Sequence, residues 1–277
     1  MDRAIPVLKC RSTGNRVNGM WIRLRQIAVA CEDLHSTGLD IGAVLGVEAC
    51  YTDPGVAQFG LKNTLWPIGT QFLEVVTPTK ENTAAGRYRN RRGGDTGYMV
   101  INQVDDINVR KARAEELGVR VAFHLHHPES GHEGIQLHPA DTGGSFYELD
   151  QMMMEGGNEV GGPWHPAGKS WQPFVRTAHV SGISAAELQS PEPRRLAERW
   201  ASIAELDVVD DADGNPTIAF ENATIRVVED TDGRGEGLGG IDLVTEGRDA
   251  IIEAAKQRGC YVSEDEVAVA GLRMYLR

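Results

Sequence analysis

The sequence predicts an α+β fold of four β-α-β-β-β modules arranged as two pairs. Strand-like alternation gives way to an amphipathic stretch and then returns, the same plan restarts at Tyr98 and again beyond residue 173, and a run rich in glycine and proline separates the two halves.

The first strand is "LRQIAVACEDL", Leu24 to Leu34, where Gln26, Ala28 and Ala30 alternate with Ile27, Val29 and Cys31. A weakly amphipathic segment to about Leu45 predicts a short helix. "LKNTLWPIG" and "TQFLEVVTP" read as strands joined at Ile68-Gly69-Thr70. In the second module "YMVINQVDDI" is a strand running into an acidic helix start. "NVRKARAEELGVR" is a helix with Gly118 where a C-cap glycine belongs. "VAFHLHH", "EGIQLHP" and "GSFYELD" complete the module.

"MEGGNEVGGPWHPAGKSWQP", Met154 to Pro173, reads as a linker. After it, "ISAAELQS" is a strand, "PEPRRLAERWASIAEL" a helix opening on proline, and "PTIAFENATIRVVED" two strands around Glu221-Asn222. "GIDLVTEG", "RDAIIEAAKQRG" and "GLRMYLR" supply the fourth module. The expected division is an extension over 1–22, a first pair over 23–152, a linker over 153–173 and a second pair over 174–277. Residues 1 to 19 show no clear period, and Met20 offers an alternative start.

The 277 residues suffice for two domains with workable cores. A formal net charge of -12 disfavours nonspecific binding to nucleic acid or to anionic membranes. Cys10, Cys31, Cys50 and Cys260 are scattered without a C-x-x-C pair, which reads as reduced thiols in a cytoplasm. No apolar run reaches the ~20 residues of a membrane span, and the N-terminus has no apolar signal region. "GRGEGLGG" is no dinucleotide fingerprint, because no strand leads into it and no carboxylate follows at the required distance, so no nucleotide cofactor is expected. No serine or cysteine nucleophile signature is present.

The repeated modules, the opening strand ending in "EDL", the restart in "VDDI" and above all "LHPADTGGSFYELD" resemble the vicinal oxygen chelate superfamily. "LHP-x-x-TGG-x-x-x-EL" is most similar to its epimerase and glyoxalase branch, and "NTLWPIGTQFLEVV" to glyoxalase-like domains. The resemblance implies two glyoxalase-like half-barrel domains, each a cup with four strand positions turned toward a divalent metal. In the first cup these fall on Gln26, Glu74, Met99 and Glu148. A thioether is a poor ligand beside oxygen donors, which leaves Gln26, Glu74 and Glu148 to hold Zn, Ni, Co, Mn or Mg. Without metal, Glu74 and Glu148 would serve as acid and base, one of them raised in pKa by the other. In the second cup the matching residues are Ala185, Arg226, Gly240 and Tyr275, which make no metal site. There Arg226 is expected to pair with a carboxylate such as Glu187 or Asp242.

Two further clusters stand out. "GRYRNRRGGDTG" packs Arg87, Arg89, Arg91 and Arg92 between the first two modules. Guanidinium forks suit a carboxylate or phosphate, so Arg87, Arg91 and Arg92, with Met99 and Gln103 on the cup strand, are candidate contacts to an anionic substrate. The bland alternative is a solvated loop paired to surplus Asp and Glu. "HLHHPESGHEGIQLH" holds His124, His126, His127, His132 and His138. Gly118 followed by His124-x-His126 resembles a first cupin motif. A cupin would place Glu three or four residues further, whereas Glu129 comes after two and Glu133 after six, so a polar hairpin rim is the favoured reading. His138 resembles a structural His-Pro turn of the superfamily.

Two functions follow as expectations. One is a lyase or isomerase acting on a small oxygenated, anionic substrate through Gln26, Glu74 and Glu148, as a monomer with an internal pseudo-dimer or as a homodimer. The other is a non-catalytic binder of the bleomycin-resistance kind. An extradiol dioxygenase fits less well, since it needs two histidines and a carboxylate on iron where this chain has Gln26 and Met99.

Overall fold

The computed structural model describes residues 20–277. The reading of residues 1 to 19 as an extension lies outside them. Two mixed sheets form, one from each half. The first contains β1 (Ile22–Ala30), β2 (Leu61–Ile68), β3 (Gln71–Pro78), β4 (Thr96–Val104), β5 (Val121–His127), β6 (His132–Leu137) and β7 (Phe146–Met152), in the order β2-β3-β1-β4-β7-β6-β5. Its helices are α1 (Leu34–Leu45), α2 (Ala84–Arg91), α3 (Ile107–Glu116) and the short α4 (Pro139–Thr142). The second sheet contains β8 (Val180–Ser190), β9 (Val208–Asp210), β10 (Pro216–Ala219), β11 (Thr224–Glu229), β12 (Gly237–Thr245), β13 (Tyr261–Ser263), β14 (Glu266–Val269) and β15 (Leu272–Leu276), with α5 (Pro193–Ala204) and α6 (Arg248–Arg258).

Local chemistry explains the boundaries. Asp33 and Asp106 cap α1 and α3 by accepting bonds from backbone amides of the first turn. Gly46 and Gly118 follow the same helices at φ of 63°. The last three modules keep a long helix and three strands after the leading strand, and the second module adds the one-turn α4 before β7. The first departs from the expected plan: residues between α1 and β2 form a 3-10 turn at Pro54–Phe59, and only an isolated bridge, Tyr51 to Leu65, remains of the third strand. The cause is the sequence Asp53-Pro54-Gly55, where Asp53 caps the turn and proline cannot donate to a ladder. The arginine-rich segment also departs from a loop, because Thr83 caps it into α2 through Gly86 N–H at 3.0 Å.

The halves interlock reciprocally. The Gln71 side-chain amide, after the β2–β3 turn, accepts from Ile183 N at 2.7 Å and donates to Ile183 O at 2.8 Å on β8. Asn222, in the β10–β11 turn, does the same to Leu24 on β1, with both bonds at 2.9 Å. Each half thus reads the other's leading strand with one side-chain amide. β4 and β12 run close together, and a Cβ on Gly97 would lie 2.6 Å from Leu238 O. One apolar core runs through both halves, with Tyr147 against Trp200 at a ring distance of 4.4 Å.

Candidate active site

The concave face of the first sheet carries every other residue of its strands. Gln26, Ala28 and Ala30 of β1 lie beside Phe72, Glu74 and Val76 of β3 and, across a bulge, beside Ile101 and Met99 of β4. β7 then brings Phe146 and Glu148 beside Met99 and Ile101. Gln26, Glu74, Met99 and Glu148 all line one cavity of about 310 Å³. Phe59, Phe123, Leu125 and Phe146 make much of the remaining wall apolar.

Glu74 sits in a clamp of two amides. Asn63 Nδ2 donates to its Oε1 at 2.6 Å, and Gln26 Nε2 donates to its Oε2 at 2.8 Å. Neither amide can turn round without loss. Asn63 Oδ1 accepts from Asp53 N at 2.8 Å, and Gln26 Oε1 accepts from Trp164 Nε1 at 2.8 Å. Both of those outer partners are donors only, which fixes the NH2 of each amide toward Glu74. Burial still outweighs the clamp and pushes the Glu74 carboxyl up to about 7.

Glu148 is buried with its Oε2 unbonded. Burial first, and then Asp150 two residues along, hold its pKa well above the carboxylate range. Asp150 is itself pushed up to about 8 by burial. Its carboxylate occupies room left by Gly134, the cross-strand residue on β6, where a Cβ would come within 1.9 Å of Asp150 Oδ1. His132 Nε2 lies 3.1 Å from the same oxygen. His127 and His165 stack beside His132, and all three line the cavity. Burial drives His132 and His165 down to about 4, so both imidazoles are neutral near pH 7.

The superfamily's four metal positions do not suit a divalent ion in this arrangement. Gln26 spends its oxygen on an indole N–H and turns its NH2 inward. Each Glu74 oxygen already accepts one amide N–H, and Met99 offers a soft thioether. Glu148 alone keeps a free oxygen.

The remaining predicted residues separate. Gln103 lies deeper, donating to Gly157 O at 2.5 Å. Arg87 is exposed on α2 and bonds Asn82 O. Arg91 and Arg92 line a different cleft, about 710 Å³, between the halves, together with Arg195, Arg199 and Arg234. Arg92 is buried and donates to the Arg234 and Gly235 carbonyls of the second half. None of the three arginines lines the carboxylate cavity. In the second cup Arg226 pairs with both expected carboxylates, in bidentate contact with Asp242 at 2.8 and 2.9 Å and with Glu187 at 2.8 Å. Tyr275 and Arg273 also donate to Glu187, so ion pairs fill that cup.

Several residues of the site were not predicted: Asn63, Asp150, Trp164, and the group His127, His132 and His165. Asp150 shares strand parity with Glu148, and Asn63 sits opposite Val76 in a plain antiparallel register, so alternation alone offered both. Trp164 and His165 come from the segment read as a linker. It folds back onto the cup and buries Trp164 and Trp171 around the Arg25 guanidinium, 5.4 and 5.8 Å from their rings. His124 and His126 are exposed, as a polar rim requires. His138 accepts from Ala140 N and starts α4.

Paired modules folded around an acid-lined cup define the vicinal oxygen chelate architecture. The chain belongs to the glyoxalase-like domain family, whose model matches residues 27–204. Mitochondrial methylmalonyl-CoA epimerase of Homo sapiens is 27% identical over 163 residues, covering 54% of this chain and 89% of that protein. The Bos taurus enzyme is 29% identical over 133 residues, covering 47% of this chain and 74% of that protein. A hypothetical protein from Staphylococcus aureus superposes with a TM-score of 0.61 at 12% identity, over 92% of this chain and 98% of the other. A mutant 4-hydroxymandelate synthase from Streptomyces coelicolor gives 0.62 at 12% identity, over 86% and 75%. At that identity the last two show the fold alone.

Proposed function

We propose that the first cup is the active site of an isomerase that removes and returns a proton on carbon next to a carbonyl. The substrate class is a small acyl thioester bearing a carboxylate, of the kind named for the epimerase relatives. The observation that carries this reading is a pair of buried carboxyl groups, Glu74 and Glu148, that line one cavity with different environments. Glu74, at about 7, is available as a base near neutral pH. Glu148, held well above the ordinary carboxylate range by burial and by Asp150, is the partner that carries the proton and serves as the acid.

Glu74 takes the α-proton, and the electron pair of the broken C–H bond moves toward the carbonyl oxygen. Glu148 delivers a proton to the same carbon from its own side, and the O–H electron pair stays on its oxygen. The two groups end with exchanged protonation states. Proton exchange with water, or a turnover in the opposite direction, resets them. The two amides that clamp Glu74 orient its carboxylate and favour its charged form. A cavity of about 310 Å³ matches an acyl group, with the bulk of a thioester carrier left outside. An ion on Gln26, Glu74 and Glu148 has no part in this reading, because Gln26 presents N–H and not oxygen to Glu74.

The apolar wall of Phe123, Leu125, Phe146 and Met99 favours a second reading, in which the cup holds such an acyl group without turnover. Interconversion of the methylmalonyl-CoA epimers, measured for wild type, Glu74→Gln and Glu148→Gln, separates the two. The isomerase reading expects turnover in wild type and a loss of at least 100-fold in each variant. Saturable binding with no turnover would establish the binder.

A further inference from the structure

We propose that His127, His132 and His165 form a binding site for a borderline divalent cation such as zinc, cobalt or nickel, in the wall of the cavity that Glu74 also lines. This site differs from the four positions at which the superfamily places its metal, and the proposal does not depend on the isomerase reading.

Geometry is the first support. One ring nitrogen from each histidine can be chosen so that all three lie within 4.8 Å of one another. The ring centroids are 4.5 to 5.4 Å apart. Three imidazoles around one ion at a bond length of about 2.0–2.1 Å need nitrogens little more than about 3 Å apart, which rotation about the side-chain torsions supplies. The three come from separate places: the end of β5, the start of β6 and the segment joining the halves. Two are half-buried and face the cavity, and the third, His132, is buried behind them.

The second support is an unmet demand for partners. His132 is 2% exposed, and neither ring nitrogen has an aligned hydrogen bond. Asp150 is fully buried, and neither carboxylate oxygen has one either. A purely packing role would leave both ring nitrogens of His132 without an aligned partner, at about 1–3 kcal/mol each. An ion on the histidines accounts for these two atoms and for Asp150 Oδ1 together. His132 Nε2 already lies 3.1 Å from Asp150 Oδ1, so a small rotation aligns an Nε2–H bond to that carboxylate. Nδ1 is then left to the ion. This carboxylate–histidine–metal arrangement is the usual way a ligating imidazole is oriented. Gly134 is the residue that lets the carboxylate stand there.

Three protein ligands leave coordination positions open toward the cavity, as in sites that hold a substrate oxygen. An ion there would meet an oxygen of a ligand bound in the cavity that Glu74 also lines. Asp53, which also lines the cavity, adds negative charge that acts on His132 and His165.

The test is titration of chelator-stripped, full-length protein with Zn(II) by calorimetry and with Co(II) by visible absorption. We expect one ion per chain and the ligand-field bands of a low-coordinate cobalt site. His127→Ala and His165→Ala, both at half-buried positions, should each weaken binding at least tenfold. Asp150→Asn should weaken it by 10- to 100-fold. Glu74→Gln should leave it unchanged. The proposal is overturned if stripped wild type takes up no ion. It is equally overturned if the affinity survives both histidine substitutions, or if it vanishes in Glu74→Gln and not in His127→Ala. Because the readout is metal uptake, failure here leaves the epimerisation assay free to succeed, and the reverse holds.

Discussion

Trp164 Nε1 donates to Gln26 Oε1 at 2.8 Å, and through that one bond the segment between the halves determines which end of Gln26 meets Glu74. An indole N–H cannot accept, so Gln26 must show its NH2 to the carboxylate.

Replacing Trp164 with phenylalanine therefore frees Gln26 to turn. Glu74 then loses one charge-assisted donor, a contribution of about 1.5–3 kcal/mol. We expect its pKa to rise by about one unit or more above the present value near 7. Carbon-13 NMR of the Glu74 carboxyl through a pH titration reads this directly, and an unmoved midpoint would show that the indole does not orient the amide.

Asn63→Asp sets a second carboxylate where an amide donor now stands, 2.6 Å from Glu74. Two buried carboxylates at that distance share a proton or repel. Urea denaturation should show a loss of roughly 2–4 kcal/mol at pH 8 and a much smaller loss at pH 5, where the pair is protonated.

Stability of the wild type should fall as pH rises from about 6.5 to 8. Glu74 ionises at about 4.5 when unfolded and at about 7 when folded. Between those values the folded state holds more protons than the unfolded one, so each step up in pH favours unfolding. Asp150, raised to about 8, acts in the same direction from 3.8 upward. The contribution of Glu74 alone is on the order of 3 kcal/mol over its whole span from 4.5 to 7, most of it below pH 6.5. His132 and His165, lowered to about 4, oppose it only below pH 6.5, where their burial as neutral rings begins to disfavour the fold. Thermal unfolding in the presence of a chelator at pH 6.5 and at pH 8 should give the higher midpoint at pH 6.5; a midpoint higher at pH 8 would mean that Glu74 is not buried as its surroundings indicate.

Arg226→Ala should leave turnover intact and destabilise the protein. It removes the partner shared by Glu187 and Asp242, whose side chains are 5% and 11% exposed, and leaves Glu187 with Arg273 and Tyr275 and Asp242 with Arg277. With those partners retained the loss is about 1–3 kcal/mol, below that of a fully unpaired buried charge. Chemical denaturation and the epimerisation assay, run on the same preparation, distinguish this from a catalytic role.

The four-module plan and the inward row of Gln26, Glu74, Met99 and Glu148 were legible because strand alternation places a residue's face without reference to anything distant. The missing strand of the first module was foreshadowed by Asp53-Pro54-Gly55, a turn signal that outweighs modular regularity. What stayed hidden came from segments without a period. Trp164 and His165 lie in a run whose glycines and prolines say only that the chain bends, not where it goes. His127 and His132 stand five residues apart in sequence and meet because the β5–β6 hairpin pairs them directly. The arginines misled for a related reason. Composition shows that a cluster is basic, but Arg92 turns toward the carbonyls of the other half, a partner more than 140 residues away.

The most direct measurement of the central claim is deuterium exchange at the α-carbon of methylmalonyl-CoA in D2O, followed by NMR across pH 5 to 9. The account predicts enzyme-dependent exchange that rises with pH through an inflection near 7 as Glu74 ionises, and that is lost in Glu74→Gln. Exchange at the wild-type rate in Glu74→Gln, or bound thioester that keeps its α-proton throughout, would contradict it.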